Sequence, residues 1–483
     1  MRLLDPNIVR ALLDWFAQAA RDLPWRRTRD PYAIWISEIM LQQTQVKTVI
    51  PYWERWMREL PDVHALAQAG AARVLKLWEG LGYYRRARYM QQAAQVIVSR
   101  HGGEFPLSYD DVLALPGIGR YTAGAICSIA FNQPVPILDG NVVRVLTRVF
   151  GIQENPQDTK TKAKLWKLAE DLVKAAHQLQ RDTERGSDNS NLSRSRRKEA
   201  QTYLENVLAR RSQSLPRAGK DGFHSVPKLL KQERDGVESV LTSAFPGEVQ
   251  HPSAVVSRAR AASTLSEAPP RPGFCSALNQ SLMELGAIIC TPRLARCEAC
   301  PLGAMCVARR KGLQELLPRL GRRMETSRRR VVALVVRRRG RFLVRRRPEG
   351  VVNAGLWEFP NWEVQGLVEA AAMPELARRR LGLKVKLVQP LCVIKHSITR
   401  YRITVDVYQG FFAPSPKSVN NRPGNRPTRT AGDGSAKKGQ GAEEEHWFTA
   451  AQLERLPFAA AHRRILEACC KTHSEPLIST HKR

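Results

Sequence analysis

The chain has 483 residues, 43% hydrophobic and 25% charged, with 77 Lys and Arg against 45 Asp and Glu for a net charge of +32. This composition excludes a fibrous or wholly disordered chain and leaves room for about three domains, while the positive excess points to a polyanionic partner through counterion release and long-range attraction. No run of about 18 apolar residues occurs, which excludes a helical membrane span, and nine cysteines in so long a chain do not make a disulfide framework.

In chain order, Met1 to Trp15 carries Leu3, Leu4, Ile8, Leu12, Leu13 and Trp15 at helical spacing with no small-residue cleavage site. It reads as a folded amphipathic helix, not a signal peptide, so an intracellular protein is expected. Helical periodicity continues to about Gln180, broken at Pro24, Pro31, Pro51, Pro61, Pro106 and Pro116, which predicts many short helices. Residues 181–272 are rich in Ser, Arg, Asp, Pro and Gly and read as a disordered insertion, with a marginal helix near Val237 to Phe245. Phe274 to Ile289 is helical again and leads into a cysteine-rich loop. The insertion therefore interrupts one all-α domain, residues 1–310, with the cysteine loop at 290–306.

A basic linker, 311–328, precedes an α+β domain over 329–475. There, Val331 to Val336 and Arg341 to Val344 predict strands around a tight Arg-Gly turn, Pro374 to Leu381 a short helix, and Arg400 to Phe412 a further strand. Residues 413–445 are low-complexity and are expected to form a loose loop before Trp447 to Cys470.

Several segments could carry chemistry. Leu115-Pro-Gly-Ile-Gly-Arg-Tyr-Thr-Ala-Gly124 supplies two glycines for a tight hairpin whose amides, at the start of the next helix, can hold a phosphate oxygen. Asp139, between an apolar run and Gly140, either faces a cleft or simply caps the helix that follows. Glu38 lies on a helix beside Gln42-Gln43-Thr44, whose amides suit base edges; two such carboxylates could divide acid and electrostatic roles. Cys290, Cys297, Cys300 and Cys306 crowd one loop as Cys-x6-Cys-x2-Cys-x5-Cys. Metal binding is expected, and the spacing suits a compact iron-sulfur cluster better than the paired Cys-x2-Cys motifs of structural zinc, without excluding zinc.

Taken together, Ser37-Glu-Ile-Met-Leu-Gln-Gln-Thr-Gln-Val46, Gly80-Leu-Gly-Tyr-Tyr-Arg-Arg-Ala-Arg88, the Leu115 to Gly124 hairpin, Ile137 to Val142 and the cysteine loop resemble the adenine DNA glycosylase (MutY) family of helix-hairpin-helix base-excision enzymes. The resemblance covers residues 1 to about 180 and 274–310. It implies excision of adenine mispaired with 8-oxoguanine or guanine in duplex DNA, one 4Fe-4S cluster on the four cysteines, a monomer, and a nuclear or bacterial cytoplasmic setting. Carried over by position, Glu38 protonates the flipped adenine and Asp139 stabilises the oxocarbenium-like sugar. Trp25, Arg26, Leu41 and Gln280 line the adenine pocket, and Gln43 and Tyr83 intrude into the base stack. Pro116, Gly117, Ile118, Gly119 and Tyr121 form the DNA-backbone hairpin.

Related glycosylases with lyase activity place a Lys where this chain has Tyr121, so a monofunctional hydrolase is expected. The second domain resembles the family's Nudix-like domain through Gly355-Leu-Trp-Glu-Phe-Pro360. Its magnesium-binding acidic pair falls on Arg379 and Arg380, which implies lesion recognition without nucleotide hydrolysis. Where many members read 8-oxoguanine with Phe-Ser-His, this chain has Ile398, Thr399 and Arg400, with Thr399 and Arg400 the candidate lesion contacts.

Overall fold

The computed structural model describes residues 6–188, 273–321, 325–398, 400–413 and 445–471. The first part is helical: α1 (Pro6–Ala19), α2 (Pro31–Leu41), α3 (Val46–Glu59), α4 (Val63–Gln68), α5 (Ala71–Leu77), α6 (Arg85–Arg100), α7 (Tyr109–Ala114), α8 (Arg120–Phe131), α9 (Gly140–Val149), α10 (Thr159–Asp188), α11 (Phe274–Ile288) and α12 (Val307–Arg310). Two cores organise them. One gathers Trp35, Trp56, Trp78 and Met90 from α2 to α6; the other gathers α1 with α9, α10 and α11 through Leu12, Phe16, Leu146, Leu172 and Leu285. The helix α2 runs through the middle, with every residue from Tyr32 to Met40 buried. A helix apolar on all sides is a core helix, and its one carboxylate, Glu38, is carried inside with it.

The insertion starts later than its composition suggests. The helix α10 continues through 181 to Asp188, held past its apolar stretch by Gln178 donating to Asp182 and Gln180 to Glu184, 2.7 and 2.8 Å. The Gln180 amide oxygen also accepts from the Phe274 backbone N–H at 2.9 Å, tying α10 to the start of α11. The segment 189–272, with the expected helix at Val237 to Phe245, lies outside the described residues, as do 322–324, Thr399 and 414–444. The 311–328 linker also needs correction at both ends. Leu317 is buried in the second helical core, Arg148 Nε donates to its carbonyl at 2.8 Å, and the first strand already begins at Ser327.

The remaining chain forms a mixed seven-stranded sheet of β1 (Ser327–Arg338), β2 (Arg341–Arg346), β3 (Trp357–Glu358), β4 (Asn361–Val364), β5 (Val385–Ile398), β6 (Tyr401–Phe412) and β7 (Glu445–Thr449), ordered β3-β2-β1-β6-β5. β4 pairs with β1, and β7 with β2. Helices α13 (Met373–Leu381), α14 (Ala450–Arg455) and α15 (Ala460–Lys471) complete it. Val331-Val-Ala-Leu-Val-Val336 is apolar without a break because both faces of β1 are covered. Ala333 and Val335 meet Leu453 of α14 and Ile465 of α15, while Val332, Leu334 and Val336 meet Met373 and Ala377 of α13. The Arg339-Gly340 turn has both residues at positive φ, 48° and 74°, the conformation that a two-residue hairpin requires. Among the described residues, no helix is long and apolar enough to cross a membrane.

Candidate active site

Glu38 and Asp139 reach one site from different elements. Asp30 caps α2 by accepting from the Tyr32 and Ala33 amides at 3.0 and 3.2 Å, with Pro31 opening the helix. Two turns on, Glu38 is only 5% exposed, and Tyr121 Oη on α8 donates to its Oε2 at 2.5 Å. Burial pushes Glu38 up to about 7; the Tyr121 hydrogen bond opposes this, the nearby Asp139 charge adds to it, and Arg26 opposes it.

Asp139 is the N-cap of α9. Its Oδ1 accepts from the Val142 amide at 2.7 Å and its Oδ2 from Asn141 Nδ2 at 2.8 Å. Burial raises Asp139 as well, but Val142, Asn141 and Arg144 all favour its charged form. The structure shows Asp139 as the cap, and the cap bonds favour its charged form against burial near the raised Glu38.

The helix-hairpin-helix turn is as expected at Pro116 to Gly119. Gly117 sits at φ 75°, where a Cβ would also strike Tyr89 at 2.4 Å, and Gly119 opens α8 with no side-chain cap, leaving its amides available. Ile118 is buried beneath it. Tyr121 is the correction. The second residue of α8, it points inward to Glu38 and to Met283 Sδ, not outward to the hairpin surface.

Of the expected pocket residues, Arg26 acts on Glu38 by its charge, Trp25 is buried edge-on to Trp53, and Leu41 lies one turn beyond Glu38 on α2, packed on the first core. Arg26 is held by Glu284 at 3.0 Å. Burial favours protonating Glu284, yet Arg21 and Arg26 overcome it and keep Glu284 at about 2. Gln280, 8% exposed, donates to Ser276 and lies one turn before Met283 on α11.

Gln43 and Tyr83, the expected duplex wedge, are exposed and share an unusual backbone, φ 61° and 47°. Non-glycine residues held there are strained, and such strain concentrates at functional sites. Arg86 holds both segments. It donates to the carbonyls of Ile39 and Gln42 at 2.7 Å each, and to those of Leu81 and Gly82 at 3.0 and 3.2 Å.

Three residues outside the sequence expectations link Asp139 to the cysteine loop. Arg144 donates to Asn141 Oδ1 at 2.8 Å, to the Gly286 carbonyl at 2.7 Å and to the Cys290 carbonyl at 2.7 Å. Arg148, 2% exposed, donates to Cys290 Sγ at 3.3 Å and to the Thr291 carbonyl at 2.8 Å. A Cβ on Gly286 would stand 2.6 Å from that of Asn141, so α11 approaches this chain closely. The only sequence signal was the helical spacing of Asn141, Arg144 and Arg148 after Asp139. Cys290, Cys297, Cys300 and Cys306 line one cavity together with Arg148, Leu285 and Ile289.

In the second domain, Ile398 and Tyr401 close a hairpin between β5 and β6. Arg400 is exposed and donates to Tyr401 Oη at 3.0 Å; Thr399 lies outside the described residues. The one carboxylate of α13, Glu375, is gripped by Arg378 and Arg379 at 2.9 Å each.

Residues 36–171 match the family of HhH-GPD superfamily base excision DNA repair proteins, and 331–468 match the NUDIX domain. The human adenine DNA glycosylase is 30% identical over 455 residues, 82% of this chain and 66% of its own length. The chain belongs to the adenine DNA glycosylase family. The mouse member is 49% identical over 174 residues, 34% of each chain, so this chain spans only part of the length of these relatives. Among solved structures, a thermostable thymine-DNA glycosylase aligns with 63% of this chain and 97% of its own at 22% identity and a TM-score of 0.40. Beyond the motif pattern, the structure shows the pairing of Glu38 with Tyr121 and the Arg86 junction between the segments that carry Gln43 and Tyr83.

Proposed function

We propose that this chain is a monofunctional glycosylase that hydrolyses the N-glycosidic bond of adenine opposite 8-oxoguanine or guanine in duplex DNA. The observation that carries it is the Glu38 and Asp139 pair: a buried acid raised to about 7 beside a carboxylate with charge-favouring hydrogen bonds. A purine leaves poorly until its ring nitrogen is protonated, and a carboxylic acid half neutral near pH 7 can supply that proton. Asp139, whose charged form the Val142, Asn141 and Arg144 contacts favour against burial, is read as the group that stabilises the positive charge developing on the sugar, and water completes the hydrolysis. Tyr121 occupies the position from which a lyase Lys would attack; a phenol donating to Glu38 forms no Schiff base. Trp25, Arg26, Leu41 and Gln280 are read as the adenine pocket, Gln43 and Tyr83 as the duplex wedge, and Thr399 with Arg400 as lesion contacts.

The four cysteines fit one 4Fe-4S cluster. They converge on a single cavity under the Arg148 guanidinium, the convergence that four thiolates need to hold one cluster. Cys290, Cys297, Cys300 and Cys306 would hold the cluster, which would order the 290–306 loop, and Arg144 joins that loop at the Cys290 carbonyl to Asn141 and so to Asp139. Duplex DNA is the partner, the working unit is a monomer, and the setting is a nucleus or a bacterial cytoplasm.

Single-turnover assays with adenine opposite 8-oxoguanine, adenine opposite guanine and thymine opposite guanine test the reading. We expect adenine release from the first two and loss of it in Glu38→Gln. Undiminished release by the variant, or a borohydride-trapped adduct in high yield, would count against it.

A further inference from the structure

The loop that carries Tyr83 is gripped by the second domain. Glu79, just before Gly80, is 14% exposed at its side chain. Its Oε1 accepts from the Phe458 backbone N–H at 2.8 Å, and the Arg463 guanidinium bonds both carboxylate oxygens at 2.8 and 2.9 Å. On the other side of the loop, Tyr84 Oη donates to the carbonyl of the same Phe458 at 3.0 Å. One residue of the second domain thus brackets the wedge loop through both of its backbone polar groups, while its side chain is fully buried in the sheet core. Lys76 adds a bond to the Leu456 carbonyl at 3.2 Å, and Leu356 and Ala459 enter the first helical core. Within the helical part, Arg86 joins the same loop to the end of α2, one turn from Glu38.

We propose that Glu79 and Tyr84 are positioning residues through which the second domain sets the Tyr83 wedge, so that docking of this domain tunes which mispair is excised. This rests on the reading of Tyr83 as a duplex wedge. The bonds from Phe458 are directional and fix the loop on both flanks, whereas apolar docking alone would let it slide. Glu79 also has its charge matched by Arg463 and Lys76 in a half-buried setting, so the contact is geometrically specific as well as attractive.

The test uses the full chain in single-turnover adenine release from duplexes with adenine opposite 8-oxoguanine and opposite guanine. Tyr84→Phe and Glu79→Gln are expected to reduce the ratio of the two rates by about tenfold, with unchanged circular-dichroism melting. Arg463→Lys should keep more of the ratio than Arg463→Met. Should Glu79→Gln melt early, Tyr84→Phe, which removes one hydroxyl, decides. Both rates falling together in Tyr84→Phe, or an unchanged ratio, overturns the proposal. Absence of adenine release by the unaltered chain would instead overturn the functional reading beneath it.

Discussion

At the scale of single residues, the site turns on a carboxyl group that the fold does not want ionised. Glu38 is raised from 4.5 in the unfolded chain to about 7 in the folded one, burial being the largest cause. The folded state therefore holds the proton more tightly, so this stabilising contribution is full below about 4.5 and is lost as pH rises through about 7. Glu38→Gln should match the parent's melting temperature at pH 4.5 and exceed it at pH 8, where the parent bears up to about 3 kcal/mol from the ionised buried group; equal melting at both values would show that Glu38 is not raised. The same shift predicts that adenine release falls as pH climbs through about 7. Glu38, Asp139 and the cysteines were legible in the sequence because each sits in a dense local motif. Tyr121 was misplaced, since its inward course depends on how α8 packs against α2 and α11, a relation that no local pattern encodes.

At the scale of elements, the segments that carry Gln43 and Tyr83 depend on one residue, Arg86, whose hydrogen bonds go to backbone carbonyls while its guanidinium lies over the Trp78 and Tyr83 rings. Arg86 is pushed down to about 10 by burial, yet it spans carbonyls from the end of α2 and from the Leu81-Gly82 turn with two different nitrogens. Only a planar fork can serve both; an ammonium group would satisfy one side and leave the other carbonyls short. Arg86→Lys should therefore destabilise the chain by about 1–3 kcal/mol and lower the excision rate, with unfolding in urea and single-turnover assays as the measurements. An unchanged denaturation midpoint would remove Arg86 from this role. The long edge strand β5 escaped the sequence reading for a related reason. Its burial does not alternate cleanly, its register shifts on both sides of Pro390, and Leu387 sits at φ 52°, so neither the unbroken apolar run that betrayed β1 nor the alternation that betrayed β6 is present. By contrast, the Arg339-Gly340 hairpin was legible because its turn chemistry is local.

At the scale of the whole molecule, the +32 charge is concentrated: residues 309–347 hold 16 Lys or Arg against two Glu, joining the cysteine loop to the sheet. Arg329, Arg330, Arg345 and Arg347 are paired with carboxylates of the sheet domain; on the proposed reading the other cations meet phosphates and set affinity and salt dependence, while the wedge and the buried acids discriminate. The chain is also long for the domains it builds, and α10 and α11 explain how that length is tolerated. Gln180 joins them directly, accepting from Phe274 N–H and from Asn132 Nδ2 at 3.0 Å, while Leu172 and Val173 of α10 share a core with Leu278 and Leu282 of α11. Among the described residues, α10 and α11 are thus joined to each other directly, on either side of 189–272. Replacing that segment by a Gly/Ser linker of about ten residues leaves enough reach to join the helix ends. It also removes three doublings of loop length, each worth roughly 0.6 kcal/mol of closure entropy. The shortened chain should melt at or above the parent's temperature and release adenine within about twofold of its rate. A lower melting temperature, or loss of adenine release with melting intact, would mean that residues 189–272 contribute to the fold or to the substrate interface after all.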